Sequence, residues 1–520
     1  MNGAECLLRT LLANGVNTCF MNPGTSEMQF VAALDRVQGM RAVLCLFEGV
    51  CSGAADGYAR MTGRPAATLL HLGPGLANGL ANFHNARKAR SPVVSIVGQH
   101  STQHLRHDAP LTADIETLAR PVSGYVRTVG RAADIGRETS AAVRAACDPP
   151  GQVATLIVPA DFSWSEAGEA GCAMPPMSAP APHAGRIQEA AKVLRSGEPV
   201  GLLLGGRTLL PAGFEPAARV AAASGARVFG ERNGARYGRG GGLMAPPRLA
   251  YFPESAEAAL SGLKHLILVE SQAPVSFFGY PGRRSELAPP DCTLHVLASV
   301  GENGTAALEE LAREWGMGST QLPVSQPAKP EWPIGAGLTP DTIGRVLAHL
   351  LPEGAIISDE MVSSSEAILR HLAAAALHDH LPVTGGSIGQ GLPVAVGAAI
   401  SCPDRKVVAL EADGSAMYTM QSLWTMARER LDVTVVILAN RRYRILDIEM
   451  RRTGAGAVGP RADEMIDLSR PEPDWINLAE GFGVRATRAA TTDEFILEFG
   501  TALRERGPRL IEAVLDPPSS

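Results

Sequence analysis

No stretch of this chain is long and apolar enough to span a membrane, and the opening residues, MNGAECLLRTLLANG, lack the basic start and long apolar core of an export signal. A soluble, cytoplasmic protein with no membrane partner is expected. There is no excess of positive charge: Lys+Arg 47 against Asp+Glu 53 leaves a net charge of -6, which argues against a nucleic-acid partner. The eight cysteines (Cys6, Cys19, Cys45, Cys51, Cys147, Cys172, Cys292 and Cys402) are scattered, with neither paired metal-ligand spacing nor a compact disulfide framework, so they read as reduced, mostly buried small hydrophobes. No short repeat or long low-complexity segment interrupts the chain. No G-x-G-x-x-G follows an early strand, which disfavours an ordinary nucleotide-binding oxidoreductase.

What is present suits an α/β protein. Hydrophobic residues make up 45% and aromatics only 5%, while 55 glycines serve the tight turns between strands and helices. A chain of 520 residues suggests roughly three domains of about 150 residues. Proline-rich stretches at 171–183 (Pro175, Pro176, Pro180, Pro182) and 318–340 (Pro323, Pro327, Pro330, Pro333) read as linkers. Apolar runs at 66–71 and 93–97 alternate with helical patterns at 28–35 and 48–61; strands are also expected at 200–204, 265–269, 294–300, 355–358, 407–410, 433–438 and 510–514. The fold class that follows is three doubly wound parallel-sheet domains, at 1–170, 184–318 and 340–520.

One βαβ unit carries chemistry. An apolar run at 406–410 leads into Glu411-Ala412-Asp413-Gly414-Ser415, a helix is predicted over 417–430, and a second strand over 432–439 ends at Asn440. A carboxylate ending one strand and an amide ending the next lie at the same carboxyl edge of the sheet, where ligands bind. Asp413 and Asn440 offer hard oxygens suited to Mg²⁺ or Ca²⁺, and the amides of the Gly414-Ser415 turn would face a diphosphate at a helix start.

Several motifs agree with this one. Asn22-Pro23-Gly24-Thr25-Ser26-Glu27 is similar to an NPG-x-x-E turn, and Glu48 followed by Gly53-Ala54-Ala55-Asp56-Gly57-Tyr58-Ala59-Arg60 to an E-x₄-GAADGYAR segment. Gly385-Gly386-Ser387-Ile388-Gly389 is similar to a segment that grips an aminopyrimidine. Over nearly its whole length the chain resembles the thiamine-diphosphate family that includes acetolactate synthase and benzoylformate decarboxylase. The resemblance implies pyrimidine-binding, central and diphosphate-binding domains in that order. It makes Glu48 the activating acid at the pyrimidine, Ile388 the wedge beneath the cofactor, and the Gly386 carbonyl the acceptor for its 4′-amino group. It places Val362, Ser363, Gly414, Ser415 and Tyr418 around the diphosphate, and Asp413, Asn440 and the Arg442 carbonyl on Mg²⁺. His71 matches a catalytic pocket histidine; Thr25, Ser26, Leu111, Ile445 and Glu449 fall at substrate-pocket positions.

By resemblance the substrate is a 2-oxo acid, processed by decarboxylation, carboligation or both in an acetolactate-synthase-like enzyme. A non-ligating decarboxylase like benzoylformate decarboxylase is the alternative, and a non-catalytic cofactor-binding or regulatory homologue a further one. The family also implies a homodimer with sites shared between chains, paired into a homotetramer. FAD, carried by many acetolactate synthases, is not expected, because Gly205-Gly206 and Gly240-Gly241-Gly242 are too generic for a dinucleotide site.

Each residue also has a plainer reading. Glu48 alone is a glutamate favoured at a helix start, Ile388 ordinary core, His71 a hydrogen-bonded structural histidine, and 22–27 a Pro-Gly turn. Glu449 stands where the synthases carry tryptophan and the decarboxylase phenylalanine, within a charged run (441–449) that also reads as a solvated helix face. The decarboxylase's second pocket histidine has no counterpart; Phe277, Phe278 and Tyr280 occupy the comparable stretch. His100, His104 and His107 lack a carboxylate framework for metal and read as surface or pocket-edge residues. Ala412 replaces the first glycine of the usual G-D-G, where a methyl is expected to crowd the diphosphate or strain the turn.

Overall fold

The computed structural model of the chain describes residues 1–316, 327–335, 337–456 and 458–516. Positions 318–326 and 336 of the expected second linker, with Pro323, lie outside the described residues.

Three sheets carry the fold. The first contains β1 (Thr18–Asn22), β2 (Arg41–Leu44), β3 (Ala66–Leu70), β4 (Val93–Gln99), β5 (Tyr125–Thr128) and β6 (Val153–Pro159), all parallel, in the order β2-β1-β3-β4-β6-β5. The second contains β7 (Val200–Leu204), β8 (Arg227–Gly230), β10 (His265–Val269) and β11 (Thr293–Ala298), also parallel, in the order β11-β10-β7-β8. The third contains β12 (Ala355–Glu360), β13 (His378–Pro382), β14 (Val407–Ala412), β15 (Val433–Ala439), β16 (Arg485–Ala489) and β17 (Arg509–Val514). It is joined by a strand from the middle of the chain, β9 (Tyr237–Arg239), in the order β16-β17-β15-β14-β12-β13-β9. Central strands such as β4 and β15 are buried along their whole length, as expected where helices cover both faces of a parallel sheet.

The antiparallel pairing of β9 with β13 was not foreseen. Tyr-Gly-Arg is too short and mixed to announce a strand, and its partner lies more than a hundred residues away, so only the tertiary fold creates the pairing.

The first and third sheets share one apolar core, in which Phe20 and Val97 belong to the same cluster as Leu392 and Val435. The contact runs through helices Glu48–Thr62 and Gly391–Ser401. A Cβ on Gly57 would stand 2.2 Å from the Val394 carbonyl oxygen, and one on Gly397 would stand 1.9 Å from that of Ala54. The small residues of the Gly53–Arg60 motif therefore let two helix backbones touch. Its polar residues fasten them: Arg60 pairs with Asp56 (2.8 Å) and donates to the Pro382 carbonyl (2.8 Å) and Thr384 Oγ1 (2.9 Å).

Candidate active site

Phe47 is the extended N-cap of helix Glu48–Thr62, so the chain turns sharply from β2 and buries Glu48 at the first helical position. Its Oε2 accepts from Asn78 Nδ2 at 3.0 Å. Asn78, Asn82 and Asn85 recur at i, i+4 and i+7 on helix Leu72–Ala89 and therefore share a face. Asn82 Nδ2 donates to the carbonyls of Gly49 (2.9 Å) and Gly389 (3.0 Å), and Asn85 Nδ2 to that of Ser387 (2.8 Å). His84 Nε2 meets the Gly385 carbonyl at 3.1 Å. Within one chain, this helix ties the Gly385–Gly389 segment to the helix end that carries Glu48. None of the three asparagines was anticipated, although a polar stripe at helical spacing was there to be read.

His71 caps helix Leu72–Ala89, and its Nδ1 lies 2.8 Å from Glu27 Oε2. The same Glu27 oxygen accepts the Gly24 N–H at 2.8 Å, while Oε1 is buried without a partner. Burial pushes the Glu27 carboxyl up, against the opposing pull of the Gly24 amide and His71. A Cβ on Gly75 would stand 3.2 Å from Glu48 Oε1 and 3.5 Å from His71 Cβ, so the two candidate side chains flank one point. Glu27 lies inside the quoted turn motif yet was given no role: a glutamate three residues after a cap reads as a capping box, and here it also orients an imidazole. Thr25 is exposed and Ser26 half-buried in the same single turn; Leu111 is exposed on the loop before helix Ile115–Ala119.

Asp413 and Asn440 follow the paired strands β14 and β15, whose register sets Ala412 opposite Leu438. Asp413 Oδ1 accepts from Gly414 N (2.9 Å) and Oδ2 from Arg441 N (2.5 Å), while Asn440 Oδ1 accepts from Arg442 N (2.9 Å). Burial pushes the Asp413 carboxyl up to about 6, with the Arg441 and Gly414 amides opposing. Ala412 is extended (φ -77, ψ 145), a conformation open to any residue, so the methyl does not strain the turn.

The helix expected over 417–430 is shorter. A four-residue turn of helix, Asp413–Ala416, is separated from helix Ser422–Glu429 by tight turns. The break has a local cause: Thr419 Oγ1 donates to the Gly389 carbonyl at 3.0 Å, and Tyr418 N and Thr419 N bond back by three residues rather than four. The Gly414-Ser415 amides thus open one turn rather than a long dipole.

Gly386 has φ +78, and a Cβ there would fall 2.4 Å from Phe277 Cζ, so glycine is required on both counts. Ile388 and Ser363 are half-buried, Ser415 is buried, and Tyr418 is exposed. Val362 is β-branched yet has φ +49, and Leu72 (φ 54) and Arg441 (φ 57) share the left-handed region beside His71 and Asn440. Backbone strain of this kind collects at functional sites. The Arg442 carbonyl accepts from Arg444 N at 2.8 Å, and its guanidinium pairs with Asp447 and Asp463.

Helix Arg444–Arg452 carries Ile445, half-buried, and Glu449, whose Oε1 accepts from Tyr280 O–H at 3.1 Å. The Glu449 carboxylate therefore turns inward to the central part of the chain rather than outward to solvent.

A second unforeseen pair supports the Gly385–Gly389 segment from below. Glu360 and Glu411 are register partners on β12 and β14 and are fully buried. Glu360 accepts from Gly389 N and Gly391 N, both at 2.6 Å. Burial pushes Glu360 up to about 7 and also pushes Glu411 well up from the usual carboxylate range, there with the neighbouring Glu360 charge as the second cause. Glutamates in strands read as solvent-facing in a sequence, which hid them.

This oxygen set fits a divalent cation. Asp413 is a buried carboxylate held by backbone amides, and an amide oxygen and a peptide carbonyl follow the neighbouring strand; these are hard donors.

Comparison with known proteins agrees with this geometry. Residues 1–118 match the model described as thiamine pyrophosphate enzyme, N-terminal TPP binding domain, and residues 364–513 match its C-terminal TPP binding domain counterpart. The chain is 51% identical over 516 residues to a Mycobacterium tuberculosis protein named "Putative acetolactate synthase large subunit IlvX", covering 99% of each. It is 29% identical over 532 residues to the benzoylformate decarboxylase of Pseudomonas aeruginosa, covering 96% of each. Among solved structures, the thiamine diphosphate-dependent 4-hydroxybenzoylformate decarboxylase of Rhodococcus jostii RHA1 superposes with a TM-score of 0.86 at 26% identity, covering 100% of both chains. Strand-end oxygens, a buried helix-start glutamate, two matching family models and full-length relatives lead to one assignment: the chain belongs to the thiamine pyrophosphate enzyme family.

Proposed function

We propose that this enzyme uses thiamine diphosphate and Mg²⁺ to act on a 2-oxo acid, releasing carbon dioxide and either protonating the remaining fragment or joining it to a second carbonyl. The observation that carries this reading is that one chain holds both half-sites: the buried helix-start Glu48 flanked by His71, and the strand-end oxygens of Asp413 and Asn440. When bound, the cofactor would supply a thiazolium carbon nucleophile.

The remaining work falls to side chains and backbone. Glu48, held by Asn78, would hold or pass a proton at the cofactor's pyrimidine, while the Gly386 carbonyl and Ile388 would hold and support its aminopyrimidine end. Asp413, Asn440 and the Arg442 carbonyl hold Mg²⁺, while Val362, Ser363, Gly414, Ser415 and Tyr418 surround the diphosphate. His71, oriented by Glu27, holds or passes a proton at Nε2 beside the substrate. Thr25, Ser26, Leu111, Ile445 and Glu449 line the substrate pocket. In this reading residues 1–170 bind the pyrimidine, 184–318 form the central domain and 340–520 bind the diphosphate.

Large apolar side chains stand exposed beside both halves of the site: Leu46 next to Glu48, and Met417 and Tyr418 next to Asp413. They support a homodimer in which each site draws on two chains; assembly into a homotetramer and a place in the cytoplasm belong to the same reading as proposals. FAD has no place in this proposal. At the carboxyl edge of the second sheet, Glu270 already accepts the amides of Arg207 (2.7 Å) and Gly304 (2.8 Å), the latter opening helix Gly304–Glu314 where a phosphate would sit.

A non-ligating decarboxylase is the second reading, favoured by His71 with its Glu27 partner and by the aromatic cluster of Phe277 and Tyr251 (ring centroids 5.1 Å apart) beside Gly386. Incubation with thiamine diphosphate, Mg²⁺ and pyruvate, 2-oxobutyrate or benzoylformate, with carbon dioxide, aldehyde and hydroxyketone all assayed, separates the two. No carbon dioxide from any 2-oxo acid would sink both.

A further inference from the structure

The outer part of the second sheet holds a histidine pair that the thiamine chemistry does not use. His265 and His295 lie on neighbouring parallel strands, with His295 opposite Ile267 and so diagonal to His265 on the same face. His265 Nδ1 and His295 Nε2 face each other at 3.1 Å. The outer nitrogens are both engaged by carboxylates: His265 Nε2 with Glu198 Oε2 at 2.8 Å, and His295 Nδ1 with Glu189 Oε1 at 3.1 Å.

The protonation pattern follows from these partners. A carboxylate accepts only, so each outer nitrogen carries the N–H, and each neutral ring then presents a bare lone pair on its inner nitrogen. Two lone pairs 3.1 Å apart repel unless a proton or a metal ion lies between them, so one shared proton gives a hydrogen bond that a metal ion would have to replace. A carboxylate behind each imidazole is also the arrangement that fixes the tautomer of metal-binding histidines and raises their basicity.

We propose that His265 and His295 form a two-histidine clip for a divalent transition metal such as Zn²⁺, with Glu198 and Glu189 as the orienting carboxylates. Metal–imidazole bonds of about 2.1 Å, at angles from square to tetrahedral, set the two nitrogens roughly 3.0–3.4 Å apart. The observed separation of 3.1 Å falls in that range. The charges balance, since two carboxylates neutralise one divalent ion. No group of three or more His, Cys, Asp or Glu ligands converges among the described residues, so water completes the coordination shell. The histidine side chains are 17% and 12% exposed, so neither ring is fully enclosed. Imidazole ligands select zinc, nickel or copper over Mg²⁺, so this clip and the oxygen set at Asp413 take different ions. Bound metal would tie edge strand β11 to β10.

The test is calorimetric titration of chelator-stripped, full-length protein with ZnCl₂, with MgCl₂ as the hard-cation control, alongside His265→Ala, His295→Ala and Glu189→Gln/Glu198→Gln. Zinc is expected to bind in the micromolar range and to raise Tm, with no magnesium response that these variants alter. Either histidine variant should lose at least about tenfold in zinc affinity, and the double glutamine variant about 10–100-fold. Side-chain ¹⁵N spectra should show the His265 Nδ1 and His295 Nε2 resonances moving on zinc addition. Matching metal-free Tm values establish that the variants are folded, and their comparison with wild type removes any contribution from Asp413 or from His100, His104 and His107. Unchanged zinc affinity in both histidine variants, or zinc-insensitive resonances of the two rings, overturns the proposal. Because no step requires turnover, the result stands apart from the 2-oxo acid assay.

Discussion

The two halves of the candidate site differ in how their polar groups are satisfied. On the Glu48 side, side chains hold side chains: Asn78 binds Glu48 and Glu27 binds His71, so the geometry exists before any ligand arrives. On the Asp413 side, backbone amides occupy the donor oxygens: Gly414 and Arg441 bind Asp413, and Arg442 binds Asn440. A cation entering there must displace or share those bonds. In the proposed reading the first half is a preorganised acid–base set, and the second is a cleft of oxygen donors that a cation would complete.

That contrast can be broken at four points. Glu48→Gln should leave Tm nearly unchanged while turnover falls by about 10²–10⁴-fold, the range of a lost acid–base group; undiminished turnover excludes its role. Asp413→Asn should weaken Mg²⁺-supported binding of thiamine diphosphate on the order of 100-fold, as expected when a charged partner of a cation is neutralised. Mixing this variant with Glu48→Gln offers a sharper reading. Recovered activity means that sites form between chains, and none means that each chain builds its own.

Glu27→Gln keeps an acceptor for Gly24 but removes the charge beside His71. A fall of about tenfold in kcat with little change in KM is expected, as for other groups that orient a functional histidine; equal losses in Tm and activity would reduce Glu27 to a helix cap.

The smallest effect concerns Glu360. Its carboxyl is pushed up to about 7 in the fold, so the folded state binds more protons than the unfolded chain between the ordinary glutamate range and that value. Stability should therefore be highest at the acid end of this window and decline as pH rises through 7, by at most about 3 kcal/mol. Urea titrations at pH values on either side of the window check the slope, which Glu411→Gln should flatten by removing the second acid.

Much of this was legible in the sequence because it is local. Strand periods located β7, β10 and β15 closely, and the residues that follow β14 and β15 had to share an edge once those strands were parallel neighbours. Boundaries failed where a distant group intervened, as when Thr419 turned to Gly389 and broke a predicted helix. The orienting residues were hidden for the same reason. Asn78, Glu27, Glu360 and Glu411 carry ordinary local signals, and their partners are fixed only by packing.

By itself, then, the sequence determined the alternation of strands and helices, the α/β class, and the placement of Asp413, Asn440 and Glu48 at strand ends and a helix start. Those follow from periodicity and turn chemistry acting over a few residues. Only the tertiary structure decided which side chains meet across the two helix-covered sheets: the asparagine face on the Gly385–Gly389 segment, the buried acid pair beneath it, and the inward turn of Glu449 to Tyr280. Burial and hydrogen-bond pairing are properties of the packed chain, and a polar residue's role changes with the partner that packing delivers.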